Sequence, residues 1–201
     1  MEQDKSWILT DRQLCDCEMI MDGSFYPLNH FMDEEDYRSV LENMRLKNGL
    51  LFPIPIVLDV SNSFSKTIKI GESIILCDKE GFKIASISVN SIWRPNFDEE
   101  AQKVYGTLDK THPAVGYLYN SKNTVYIGGE IEKIKSPNHY DYKNYRHSPQ
   151  FVKAKFKEMG WEKIIAFQTR NPLHKAHVEM ISRSMKGLGA SLLLHPVVGL
   201  T

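Results

Sequence analysis

Lys163-Ile164-Ile165-Ala166-Phe167-Gln168-Thr169-Arg170-Asn171-Pro172-Leu173-His174-Lys175-Ala176-His177 is the stretch whose reading decides the fold of this chain. Lys163 to Phe167 is a short apolar run and reads as a buried strand. Gln168 to Asn171 is a polar turn. Pro172 then opens a helix, with Asn171 as the expected N-cap. Ala176, Met180, Ile181 and Met185 fall on one helical face, and Gly187 or Gly189 supplies the stop. Ser191 to Val198 is a second apolar run. Strand, helix and strand at this spacing form a βαβ unit, and hence a parallel pair. Parallel sheets are ordinarily covered on both faces. Two strands alone do not finish such a layer, so the pattern creates the expectation of further chain beyond Thr201, or of strands from another chain.

Upstream, Ser148-Pro149 is a helix start, with Ser at the N-cap and Pro at the first helical position. Phe151, Val152 and Phe156 give its apolar face, and Gly160 ends it. Residues 136–147 (SPNHYDYKNYRH) are polar and aromatic and read as a linker. Before them the pattern is α+β. Thr10 and Gln13 have capping-box spacing ahead of Leu14, Cys17 and Met21, with Asp22-Gly23 as the stop. A second helix follows Asp33, with Tyr37, Val40, Leu41 and Met44 on one side and Asn48-Gly49 after it. Ile54–Val60, Thr67–Ile70, Ser73–Cys77 and Phe82–Val89 read as strands, with a turn at Lys79-Glu80-Gly81 and an irregular alternation that suggests a bulge. Asp98 is expected to cap a short helix through Val104, and Val125 to Ile134 is a strand broken by Gly128-Gly129. The expected division is a small α+β or barrel-like domain over 1–145 and a βαβ-containing segment over 146–201.

The formal charge is zero, from 25 basic and 25 acidic residues, but the halves differ. Residues 1–132 carry 13 Lys and Arg against 21 Asp and Glu, and residues 133–201 carry 12 against 4. The basic segment is suited to anions, although Lys153, Lys155 and Lys157 are equally compatible with a solvated helix face. The acidic first part argues against a nucleic-acid surface. The three cysteines, Cys15, Cys17 and Cys77, are an odd number without a signal-like start, which points to a reducing, cytoplasmic setting. No run is long and apolar enough for a membrane span. Cys15 and Cys17 are two apart, a poor spacing for a helical metal site.

Within Gln168–His177, every polar side chain can donate a hydrogen bond and none is an acid. The segment lies between the end of a strand and the start of a helix, where ligands of open α/β sheets collect and where unpaired N–H groups attract phosphate. Arg170 offers a planar fork for a tetrahedral oxyanion. Taken alone, these residues leave other readings open. Asn171 is compatible with a plain cap, and His174 with His177 is compatible with surface residues or a metal pair. Zinc needs a further ligand, and none is obvious nearby.

Beyond that, Gln168–His177 resembles the Q-x-R-N-P-x-H-x-x-H element of the ATP sulfurylase (sulfate adenylyltransferase) family. RHSPQFVKAKFKEMGW before the strand and LLLHPVVGLT after the helix are similar to its flanks. LTDRQLCDCEMIMDGSFYPLNHFMDEEDYRSVLENMRL, LFPIPIVLDV, THPAVGYLY and VYIGGEIE resemble the family's N-terminal PUA-like domain. Tyr26, Asn29 and His30 depart from its usual small residues, in a region expected to be structural. The resemblance implies an α/β protein: a PUA-like domain over 1–145, then the first part of a Rossmann-like nucleotidylyltransferase domain over 146–201. It implies that Gln168, Thr169, Arg170, Asn171, His174 and His177 bind ATP, with Gln168 and Arg170 holding sulfate and Thr169, Arg170, Asn171, His174 and His177 catalytic. Sulfate would attack the α-phosphorus of ATP and release pyrophosphate, leaving adenosine 5'-phosphosulfate (APS). Mg²⁺ would accompany ATP, with no tightly bound metal. The family's later Gly-Arg-Asp-His-Ala-type loop does not occur here, so the chain is expected to hold about half an enzyme, inactive until a C-terminal part is supplied in cis or trans. A homo-oligomer is expected of the whole, without nucleic acid or membrane. The alternative is an RNA- or partner-binding PUA-like module without catalysis.

Overall fold

The structure, a computed structural model, describes residues 5–197. They fall into two compact units that divide between Arg146 and His147. In the first unit the order is β1 (Ser6–Ile8), α1 (Asp11–Met21), β2 (His30–Phe31), α2 (Glu34–Asn43), β3 (Leu58–Val60), α3 (Asn62–Ser65), β4 (Ser73–Cys77), β5 (Lys83–Trp93), α4 (Phe97–Tyr105), α5 (Pro113–Asn120) and β6 (Val125–Lys133). The second unit has α6 (Pro149–Glu158), β7 (Ile164–Thr169), α7 (Lys175–Leu188) and β8 (Ser191–Pro196).

The first unit is built on a six-stranded sheet in the order β1-β4-β5-β6-β2, with β3 also pairing with β6. Only the β1–β4 pair is parallel among the described strands of this sheet. Irregularities between Leu76 and Cys77 in β4, and between Val89 and Ser91 in β5, explain the imperfect alternation of the sequence. The glycines of β6 do not break it. A Cβ on Gly128 would lie 2.2 Å from the Met32 carbonyl oxygen, and one on Gly129 would lie 2.0 Å from that of Ser88. Glycine is required there because neighbouring backbone comes so close.

Local chemistry sets the helices. The Thr10 hydroxyl accepts the Gln13 N–H, and the Gln13 side chain accepts the Thr10 N–H. The Gln13 amide is buried and also donates to the Asp59 backbone and carboxylate oxygens, both at 2.7 Å. Asp33 caps α2 through the Asp36 N–H. Several expectations are corrected. Met44 is the left-handed C-cap of α2 with an exposed side chain, not part of its buried face. Thr67–Ile70 is not a strand, and β3 starts only at Leu58, after the two prolines have removed ladder donors. Asn96, not Asp98, caps α4, by accepting the N–H groups of Asp98 and Glu99. The core holds a buried carboxyl. Tyr37 and Tyr126 both donate to Oε2 of Glu100, at 2.9 and 3.0 Å. Burial pushes Glu100 up despite those two bonds. No helix among the described residues is long and apolar enough to cross a membrane.

In the second unit β7 and β8 are parallel, in register from Ile164↔Ser191 to Thr169↔Pro196. β8 ends at Pro196; Val198, expected in this strand, lies outside the described residues. Ser148 caps α6 through the Phe151 N–H, and Gly160, with φ +67°, follows its end. Phe156 stacks on Trp161, while Phe151, expected on the apolar face, is exposed and stacks on His147. Ile181 is the buried apolar residue of this unit among the described residues.

Candidate anion site at the end of β7

β7 ends at Thr169, and α7 begins at Lys175. The five residues between them carry Arg170, Asn171 and His174. The expected helix start at Pro172, capped by Asn171, is not what forms. The N-cap is His174, whose carbonyl accepts the Val178 N–H at 3.1 Å. The reason lies in the turn. The Thr169 hydroxyl donates to the Asn171 carbonyl at 2.8 Å and accepts the Asn171 N–H at 3.1 Å. The hydroxyl thus gives the Asn171 backbone a local alternative to a first helical turn.

The later start brings the histidines closer to the helix end than their spacing alone suggested. His174 is the cap and His177 lies in the first turn of α7. Their rings meet edge to face, 5.5 Å between centroids, and His177 also rests 5.7 Å from the Phe167 ring. The His174 N–H donates to Nδ1 of His177 over a long 3.4 Å. A neutral His177 held this way carries its proton on Nε2, and so presents a donor.

Arg170, Gln168, Asn171 and His174 are exposed. Arg170 has no ion pair among the described residues, whereas Lys155 pairs with Glu158 and Arg183 with Glu179. Residues 147–201 hold eight Lys and Arg against three acids. The N-terminal end of α7, the Arg170 fork without an ion pair among the described residues, and the two imidazoles therefore lie on one short stretch that is rich in donors. His195 was passed over as a site residue in the sequence, yet it is the register partner of Gln168 on β8. The parallel-strand reading contains that signal, since the carboxyl ends of both strands border such a site.

Among the described residues one other cluster has metal-like composition. Ligand atoms of His30, Asp33 and Asp36 lie within 4.8 Å of one another. Their oxygens are already engaged. Asp36 accepts the Lys47 N–H at 2.7 Å and bonds His30 Nε2 at 3.0 Å. Asp33 caps Asp36 and takes the Lys47 ammonium. Burial pushes Asp33 up, but the Asp36 amide and Lys47 outweigh it and hold Asp33 below the usual range. This network fastens the start of α2.

A mixed sheet domain followed by a parallel strand–turn–helix defines a two-part α/β chain. The chain belongs to the PUA-like domain family, whose pattern matches residues 1–136, and the ATP-sulfurylase family pattern matches residues 143–201. It is 48% identical over 195 residues to the sulfate adenylyltransferase of Eremothecium gossypii, with 97% of this chain and 39% of that protein covered. It is 44% identical over 195 residues to that of Saccharomyces cerevisiae, with 97% and 38% covered. It is 42% identical over 196 residues to that of Schizosaccharomyces pombe, with 96% and 40% covered. The chain thus spans about two fifths of the length of these relatives, less than the half expected. The solved structure of a hexameric APS kinase from Thiobacillus denitrificans is similar at a TM-score of 0.77 and 29% identity, over 99% of this chain and 35% of that one.

Proposed function

We propose that this chain supplies the oxyanion and triphosphate grip of a sulfate adenylyltransferase, which converts ATP and sulfate into APS and pyrophosphate. In this reading residues 1–145 are the PUA-like domain, and 146–201 are the first part of a Rossmann-like catalytic layer. The observation that carries it is the unpaired, exposed Arg170 at the end of β7, followed at once by two facing imidazoles at the start of α7.

A sulfate oxygen attacks the α-phosphorus in line, the bond to the bridging oxygen breaks, and pyrophosphate leaves. No side chain forms a covalent bond. Catalysis is then positioning and charge stabilisation. Gln168 and Arg170 hold sulfate. Thr169 and Asn171 form the side of the turn that faces the nucleotide phosphates. His174 and His177 donate to phosphate oxygens as their charge grows. Mg²⁺ travels with ATP and neutralises phosphate charge, with few protein ligands needed. The hexameric assembly of the similar Thiobacillus denitrificans protein supports a homo-oligomeric enzyme, and the cysteine usage supports a cytoplasmic one.

The test is a hybrid in which this chain replaces the matching 195 residues of the Saccharomyces cerevisiae relative. Sulfate-dependent pyrophosphate release is expected from the hybrid. A folded hybrid that binds ATP but releases no pyrophosphate, beside an active parent, would overturn the proposal.

A further inference from the structure

The hydroxyl of Thr169 has a single proton, and the turn already uses it. We infer that Thr169 is a positioning residue that sets the direction of Arg170 through the backbone, and that its hydroxyl does not bind phosphate or sulfate. This rests on the reading of Arg170 as the sulfate fork.

An oxyanion needs donors. The Thr169 proton goes to the Asn171 carbonyl at 2.8 Å, and a lone pair of the same oxygen takes the Asn171 N–H at 3.1 Å. Donating to a substrate would mean breaking the bond to the Asn171 carbonyl. The Thr169 carbonyl in turn accepts the Val197 N–H at 2.8 Å, which ties the residue to the chain just past β8. Arg170 therefore sits between two residues clamped to each other, one of them anchored to the neighbouring strand's continuation. A two-pronged guanidinium contact tolerates little angular error, so a clamp on the backbone at both sides of Arg170 has a function that the exposed turn would otherwise lack. The same clamp lies just ahead of the helix start at His174.

The experiment uses the hybrid enzyme and a double-mutant cycle. Thr169→Val keeps the shape and removes the hydroxyl, and Thr169→Ser restores it. Circular dichroism first checks folding, and Thr169→Ala replaces the valine variant if that one does not fold. Thr169→Val is expected to lower kcat/KM for sulfate by roughly 10- to 100-fold, the scale of a misplaced binding group, with KM for sulfate rising more than KM for ATP. Thr169→Ser should stay within about threefold of the parent, on the ground that its hydroxyl can make the same bonds. In an Arg170→Ala background, Thr169→Val should change the rate less than about twofold, because coupled groups are not additive. Full multiplication of the two effects, or a Thr169→Val enzyme equal to the parent, overturns the positioning role. An Arg170→Ala enzyme equal to the parent overturns the anion-site reading instead.

Discussion

Asp16 gives a sharp test of how the first unit is held together. Its side chain is 14% exposed and lies 3.8 Å from the Arg12 guanidinium, itself about half exposed and resting over the Tyr117 ring. Burial pushes the Asp16 carboxyl from 3.8 up to about 6; nearby Asp59 adds to this, and Arg12 only partly opposes it. One unit is worth about 1.4 kcal/mol, so ionised Asp16 costs the fold about 3 kcal/mol. A raised carboxyl favours the folded state while it is protonated. Its contribution is complete below the unfolded value near 4 and is lost as pH rises through about 6. Asp16→Asn keeps the shape and removes the charge. Relative to the parent it should gain little at pH 4 and about 3 kcal/mol at pH 7.5. Urea unfolding followed by tryptophan fluorescence measures this. Trp161→Phe in both proteins limits the signal to Trp7 and Trp93 of the first unit. A difference between parent and variant that stays flat from pH 4 to 7.5 would refute the burial argument, and a variant less stable at pH 7.5 would mean the Arg12 pair outweighs burial.

Two further outcomes follow from the geometry. Gly129→Ala forces a methyl to 2.0 Å from the Ser88 carbonyl oxygen, so β5 and β6 must part; a loss of about 4 kcal/mol or more is expected in the same unfolding assay. In the hybrid enzyme, His174→Ala and His177→Ala should reduce kcat far more than they weaken ATP binding, as expected for contacts that strengthen in the transition state; equal losses in affinity with kcat unchanged would assign the imidazoles to ground-state binding.

The parts of this fold that were legible in the sequence are those fixed by local chemistry. The Thr10–Gln13 box and the Ser148-Pro149 start both form as their spacing indicates. So does the parallel β7–β8 pair, whose apolar runs are separated by one helix. What could not be read depends on contacts distant in sequence. β1 and β2 are two or three residues long and exist through pairing with β4 and β6. Gly128-Gly129 looked like a break because Met32 and Ser88 are remote in the chain. The burial of Glu100 has no local signal, since its partner Tyr37 lies 63 residues away. At the candidate site the residue types were legible and the helix start was not. Asn171-Pro172 has good capping chemistry, but the Thr169 hydroxyl competes for the Asn171 backbone and prevails.

The most direct measurement concerns Arg170 in the hybrid enzyme, assayed by pyrophosphate release with sulfate and with molybdate as the oxyanion. Arg170→Ala should cut kcat/KM for the oxyanion by on the order of 100-fold or more, the loss typical of a key oxyanion donor. Arg170→Lys keeps the charge but loses the two-pronged contact, and should recover only part of that rate. A fully active lysine enzyme would make Arg170 a simple point charge, and a fully active alanine enzyme would place the oxyanion elsewhere; either result would contradict the anion site described at the end of β7.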